Sequence, residues 1–270
     1  MPPHTIVLAH GVLGFGAPIG STGLIHYFNG VAPYLHGRGH EVFEPQVNPI
    51  GSVVQRGQQL ADFIQKHVPA KKDVYIIAHS MGGLDARHAI TNIFKAPEPV
   101  STLVTIGTPH LGSPVADALV RDAHPLFAAI PALIRDQFNR KAPALHDLTT
   151  TACTEFDIAT PDVEGVRYIE VAGNAAQASH ELFLFKVAES IGRLTNEIND
   201  GVVTRSSALR RRKDGRTSHL EEPEQLPDWP VDHAGEVGWS PPIPTQWDIL
   251  DLLAASHFAR YEAIVQLFDR

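Results

Sequence analysis

The sequence predicts an α/β protein: a mostly parallel sheet whose strands are joined by crossover helices. Short β-branched runs recur along the chain, and segments with helical apolar spacing lie between them. With 270 residues and 43% hydrophobic content, the chain is long enough to bury a sizeable core as a single domain, 1–270.

The strand candidates are "TIVLA" (5–9), "EVFEPQV" (41–47), "DVYIIA" (73–78), "STLVTIG" (101–107) and "VRYIEVAG" (166–173). Between them, Val53, Gly57, Leu60, Ala61, Ile64 and Val68 follow helical spacing, as do Ala86, Ala89, Ile90, Ile93 and Phe94. The rhythm breaks between Gly112 and Asp162, a separation far longer than a crossover needs, and this predicts an inserted cap over about 112–162. Within it Leu126, Ile130, Leu133, Ile134 and Phe138 share a helical face, interrupted by Pro125 and Pro131. A second dense segment, "ELFLFKVAES", suggests a further cap helix over about 181–195, either covered on several sides or lining an apolar cleft. Phe258, Tyr261, Ile264, Val265 and Phe268 predict a final amphipathic helix packed on the sheet.

Composition removes several function classes. A net charge of -8 disfavours nucleic acid and anionic membrane surfaces as partners. The basic run Arg210–Lys213 lies close in sequence to Glu221, Glu222 and Glu224, and reads first as a solvated loop. Cys153 is the single cysteine, so an intrachain disulfide and a cysteine metal cluster are both excluded, and its thiol reads as a small buried hydrophobe. Fifteen histidines are scattered; His36 and His40 straddle two glycines, and no H-E-x-x-H spacing occurs. The start, "MPPHTIVLAHG", lacks a basic segment followed by a long apolar one, and no apolar run is long enough to span a bilayer. The expectation is a cytoplasmic protein as written, or a secreted one if a leader has been removed, without stable membrane insertion.

The chemistry concentrates in "YIIAHSMGGLDARHAI", residues 75–90. A serine hydroxyl is a poor nucleophile until a base takes its proton, and the base needs a third group to hold its tautomer. At the tip of a sharp strand-to-helix turn Ser80 would be forced out of the sheet with a helix N-terminus beneath it. Such a turn needs small neighbours, and Ala78 and Gly82 flank it: a G-x-S-x-G pattern with alanine for its first glycine. A plain helix-capping serine is the rival reading. Upstream, "LAHGVLGFG" (8–16) closes the first strand candidate with three glycines that let backbone N–H groups turn toward a neighbouring strand end. The N–H groups of Val12 and Met81 are the candidate oxyanion hole, although a glycine-rich turn alone would look similar. The loop lacks the glycine spacing of a dinucleotide site.

Together "TIVLAHGVLGFG", "VYIIAHSMGGLDARHA", "TIGTPHLGSPVAD", "INDGVV" and "VDHAGEVGW" resemble the bacterial triacylglycerol lipases of the α/β-hydrolase superfamily, notably the Pseudomonas, Burkholderia and Proteus group. The resemblance runs in order over most of the chain and is weakest in the cap and from Ser206 to Pro230. It implies an α/β-hydrolase fold, with Asp200 as the acid after an N-D-G turn and His233 as the base in a later D-H segment. Asp200 also reads as a simple turn former and His233 as a surface histidine; His219, His257 and Asp232 are rivals for these roles. In the calcium-binding relatives an aspartate stands two residues after the histidine. Here that place is Gly235, so no calcium site of that type, and no cofactor, is expected.

The expected function is hydrolysis of hydrophobic carboxylic esters, acylglycerols among them, through an acyl-enzyme on Ser80, with at most transient contact with a lipid interface. Acyl transfer or polyester depolymerisation would use the same triad. A catalytically silent binding protein on the same fold is the alternative from another class.

Overall fold

The computed structural model describes residues 2–12, 27–69, 73–95, 99–121, 126, 142–177, 185–212, 214, 219–239 and 257–270. Six strands form one sheet among them: β1 (Thr5–Ala9), β2 (Glu41–Phe43), β3 (Val74–His79), β4 (Val100–Ile106), β5 (Arg167–Val171) and β6 (Glu224–Gln225). All neighbouring pairs are parallel, in the order β2-β1-β3-β4-β5-β6. A parallel sheet has to be covered on both faces, and alternate residues of each strand do this. On one face Ile6, Leu8, Ile77, Val104 and Ile169 pack with α1 (Val31–His36) and the last helix, α9 (His257–Val265). On the other, Val7, Ala9, Ile76, Ala78 and Leu103 pack with α2 (Val53–His67) and α3 (Met81–His88).

The crossovers begin and end for local reasons. Ser52 caps α2 by accepting the Gln55 N–H, and Pro69 forces Val68 into an extended conformation that ends it. Strand β2 stops at Phe43, short of the expected 41–47, because Pro45 has no N–H for the ladder. Strand β6 was not anticipated: it is two polar residues long, beside β5, and carries no apolar pattern. The helix expected around Ala86–Phe94 is α3 continued by a π-helical turn, Ala89–Phe94.

Between β4 and β5 the expected insertion contains α4 (Pro114–Val120), α5 (Pro143–Asp147) and α6 (Thr150–Ala159), and α7 (Phe185–Thr195) follows β5. Leu126 is buried; the rest of the face expected over 126–138 lies outside the described residues, as do 181–184. Leu119, Leu126, Leu145, Cys153, Val187 and Ile191 join Met81 and Leu84 in one apolar cluster, so these helices sit over the start of α3. Among the described residues no helix is long and apolar enough to cross a membrane.

The basic run is not a solvated loop at its start, which corrects the sequence reading. After α8 (Arg205–Ala208), Arg210 is buried and pairs with Asp157 at 3.3 Å and Asp162 at 2.7 Å. Arg87 reaches the same Asp157 at 3.0 Å, and Arg212 lies 3.6 Å from its other oxygen. The partners come from distant segments, and Glu221 and Glu222 are exposed.

Candidate active site

Chain direction reverses across the sheet at β1: the chain crosses to β2 on one side, then to β3 on the other, and the crevice at the carboxyl ends of β1 and β3 is where such sheets bind ligands. Ala9 pairs with Ala78, so the residues that follow each strand meet. Those residues are Gly11 and Val12 on one side and Ser80 on the other.

Ser80 has φ 56° and ψ -132°, a conformation that side-chain-bearing residues avoid and that costs about 1–3 kcal/mol. The Ser80 N–H donates to the Ile106 carbonyl at 2.9 Å, and the Gly83 N–H donates to the Ser80 carbonyl at 3.1 Å, which holds the turn. A Cβ on Gly82 would overlap the Ala9 carbonyl, and one on Gly83 would overlap Thr108. Ala78 is buried and outside the left-handed region, which is why a methyl group is accommodated there. Ser80 makes no capping hydrogen bond to its helix, contrary to the capping alternative.

Far along the chain, Asp200 lies in a turn made by its neighbours: the Asn199 Oδ1 accepts the Gly201 N–H at 3.0 Å, and Gly201 has φ 95°. The Asp200 side chain is buried. Its Oδ1 accepts the Val202 and Val203 N–H groups at 2.8 and 2.7 Å, and its Oδ2 lies 2.7 Å from the His233 Nδ1. The opposite ring nitrogen, Nε2, lies 2.9 Å from the Ser80 Oγ. The fold thus brings Ser80, His233 and Asp200 into one hydrogen-bonded line. With Asp200 accepting at Nδ1, Nε2 carries the lone pair and can accept the serine proton.

Of the two oxyanion candidates, Met81 follows the serine directly and Val12 follows Gly11. Met81 opens α3, so its N–H is among the four that have no partner within the helix. Gly11 is pressed against the serine: a Cβ there would lie 2.7 Å from the Ser80 Cβ and 3.2 Å from its Oγ. Val12 is the residue that follows this close approach.

The rivals have other work. His219 lies 3.0 Å from Asp162 and 3.5 Å from Glu170, His257 contacts the Asn29 carbonyl at 2.6 Å, and the Asp232 Oδ1 accepts the Gly235 N–H at 2.8 Å. Gly235 itself is enclosed: a Cβ there would lie 3.0 Å from the Val231 Cβ and 3.2 Å from the Asp232 Oδ1.

Sequence reasoning missed the groups behind the histidine. Glu236 is fully buried, with Oε2 2.9 Å from the His79 Nε2 and 3.4 Å from the His233 Nδ1. Tyr27 closes the line with its hydroxyl 2.6 Å from the His79 Nδ1. Burial first, and then the Asp200 and Asp232 charges, push the Glu236 carboxyl well above the usual range. Burial likewise holds His79 well below its usual value. His79, His233 and Glu236 bring three ligand-type atoms within 4.8 Å of one another, but each atom already serves a hydrogen-bonded pair and two of the residues are closed to solvent.

Residues 38–175 match the family described as "PGAP1-like alpha/beta domain", about half of the chain. A triacylglycerol lipase of Vibrio cholerae is 32% identical over 255 residues, covering 81% of this chain and 79% of that protein. Triacylglycerol lipase 2 of Saccharomyces cerevisiae is 29% identical over 230 residues, covering 83% of this chain and 65% of that protein, so the chain spans somewhat under two thirds of the yeast relative. The crystal structure of Staphylococcus hyicus lipase superposes with a TM-score of 0.69 at 17% identity, covering 98% of this chain and 95% of that one, which shows a shared fold. Fold and site together define an α/β-hydrolase of the lipase type, a class of serine ester hydrolases. Within that class, the chain belongs to the PGAP1-like alpha/beta domain family, and separately it is related to the triacylglycerol lipases.

Proposed function

We propose that the chain hydrolyses hydrophobic carboxylic esters, acylglycerols foremost, through an acyl-enzyme on Ser80. The observation that carries this reading is the line from the Ser80 Oγ through His233 to Asp200, at 2.9 and 2.7 Å, with the serine on a strained turn. Ser80 attacks the ester carbonyl while His233 takes its proton. The Val12 and Met81 N–H groups stabilise the oxyanion, and His233 returns the proton to the leaving alcohol. Water then repeats the sequence and releases the acid. Asp200 orients the imidazole and stabilises its charged form.

An apolar substrate class fits the cluster that α4, α5, α6 and α7 build over Met81, and it fits the names of the relatives. On this reading 112–162 and 181–195 form a cap on a single domain. Closer kinship with the Pseudomonas, Burkholderia and Proteus lipases rests on the five ordered sequence blocks. The enclosed Gly235 and the engaged Asp232 do not suit an oxygen-rich calcium cage, which supports calcium-independent hydrolysis.

Hydrolysis of a p-nitrophenyl ester series by wild type and Ser80→Ala, with and without chelator, tests the reading. Activity lost in Ser80→Ala and indifferent to chelator is the expected result. Equal activity in both proteins overturns the serine mechanism, and loss on chelation overturns the calcium-independent reading.

A further inference from the structure

The carboxylate of Asp200 is held by a peptide group that is itself held from the other side. Its Oδ1 accepts the Val203 N–H at 2.7 Å, and the carbonyl on the opposite edge of the same peptide unit, that of Val202, accepts the Ser113 hydroxyl at 2.6 Å. A peptide unit is planar and trans, so a bond that fixes its oxygen also fixes the direction of its N–H. Hydrogen bonds in a chain polarise one another, so a donor on the carbonyl also strengthens the N–H bond to the carboxylate.

Ser113 is buried and is fixed from the α4 side. Its N–H donates to the Leu148 carbonyl at 3.0 Å, and its Oγ accepts the Val115 and Ala116 N–H groups at 3.2 and 3.4 Å, which caps α4. A hydroxyl has two acceptor positions and one proton, so with both acceptor positions taken the proton goes to Val202. A second hydroxyl joins the same two segments in the reverse sense: the Ser207 Oγ accepts the Leu111 N–H at 3.0 Å and donates to the Gly112 carbonyl at 2.8 Å. Gly112 has φ 92°, and a Cβ there would overlap the Thr150 backbone, so the loop that carries Ser113 has little freedom to take another path.

We infer that Ser113 is a positioning residue for the triad acid: through the Val202–Val203 peptide its hydroxyl keeps the Asp200 carboxylate in line with His233, and it ties that alignment to the start of α4. The inference rests on the proposed role of Asp200, and it deepens that role by naming the side chain that holds the acid turn. Loss of the hydroxyl leaves the carboxylate present but poorly aimed. Asp200 stabilises an imidazolium that exists only after the serine proton has moved, so the effect falls on kcat and not on binding of the neutral ester.

Ser113→Thr keeps the hydroxyl, Ser113→Ala removes it, and Ser113→Cys keeps a side chain of similar shape with a weak donor. Ser52→Ala removes a helix-capping hydroxyl from α2 and serves as the control for lost capping alone. Asp200→Asn tests the acid itself. The test measures kcat and KM on a p-nitrophenyl ester, with kcat normalised to the end-point of phosphonate labelling at Ser80 so that only folded sites are counted. It also records the low-field proton NMR signal of the His233 Nδ1–H, which reports the bond to Asp200. Ser113→Ala should lower kcat by about 10- to 100-fold with KM within about twofold, and should shift or broaden the His233 signal. Ser113→Thr should recover most of the loss, Ser113→Cys should fall between, and Ser52→Ala should keep kcat within about twofold with the signal unmoved. Asp200→Asn should lower kcat on the order of 10³- to 10⁴-fold. If Ser113→Ala gives no labelled sites, Ser113→Cys carries the test.

Wild-type kcat in Ser113→Ala, or in Ser113→Cys where that variant carries the test, overturns the inference. An equal loss in Ser113→Thr overturns it too, since that marks a packing role, and so does a loss of kcat with the His233 signal unchanged. If Asp200→Asn loses activity while the Ser113 variants do not, the role of Asp200 stands and the Ser113 inference fails. If Asp200→Asn keeps kcat, the triad reading fails, and the Ser113 inference with it.

Discussion

His79 and Glu236 meet at 2.9 Å behind the triad histidine, where burial and the neighbouring carboxylates push the Glu236 carboxyl well above its usual range. Gln at position 236 can accept from His79 through its amide oxygen, whereas Ala cannot. Glu236→Gln should keep near-wild-type kcat and thermal midpoint at neutral pH. Glu236→Ala should destabilise the protein by about 2–4 kcal/mol and depress kcat. Denaturant unfolding with kcat measured alongside separates the two; equal damage from both substitutions would mean that a charge is needed there.

Ser80, His233 and Asp200 act as one unit, so their losses should not add. Ser80→Ala should reduce kcat on the order of 10⁵- to 10⁶-fold, and the triple substitution should cost little more. Strictly additive losses in single-turnover rates would sink the assignment.

The two small residues flanking Ser80 should respond oppositely to substitution. Gly82→Ala drives a methyl group into the Ala9 carbonyl and should cost at least about 1–3 kcal/mol together with much of the activity. Ala78→Gly loses one buried methyl group and some backbone restriction, about 1–2 kcal/mol, and should remain active. Thermal unfolding and burst titration of the two variants give both numbers.

Glu170 supplies a pH dependence. Burial pushes its carboxyl up to about 8, against the pull of Arg210 and Arg87. The folded pKa lies above the unfolded one, so the folded state favours the protonated group. Its contribution is fully present below about pH 4.3 and is lost as pH rises through about 8. Glu170→Gln should therefore gain stability relative to wild type as pH rises across that window, on the order of a few kcal/mol by pH 8. A stability difference that stays flat from pH 5 to pH 8 would contradict this.

Four strands, β1, β3, β4 and β5, were legible because each is mostly buried and carries two or more β-branched residues. Strand β2 was cut short by Pro45, and β6 has too few residues to carry a pattern. The serine could be located from its turn, but its base lies 153 residues away and the acid 33 residues before the base, distances that no local spacing encodes; the resemblance of whole blocks supplied them. Arg210 was misread because a run of charge looks solvated until its partners, contributed by other elements, are in place. Arg56 offered a fainter signal: it falls on the apolar face of α2 between Val53 and Leu60, where a guanidinium needs a buried partner. The placement of Glu236 follows only from its three-dimensional neighbours.

The Arg87, Arg210, Asp157 and Asp162 cluster changes how the protein should respond to heat. Charged groups lose hydration free energy as temperature rises, so the cost of keeping these groups out of water shrinks on warming, while the gain from apolar burial levels off. The ion pairs that join α6 and the segment after α8 therefore act as a fastener that tightens, relative to the rest of the interior, as the protein approaches its melting point.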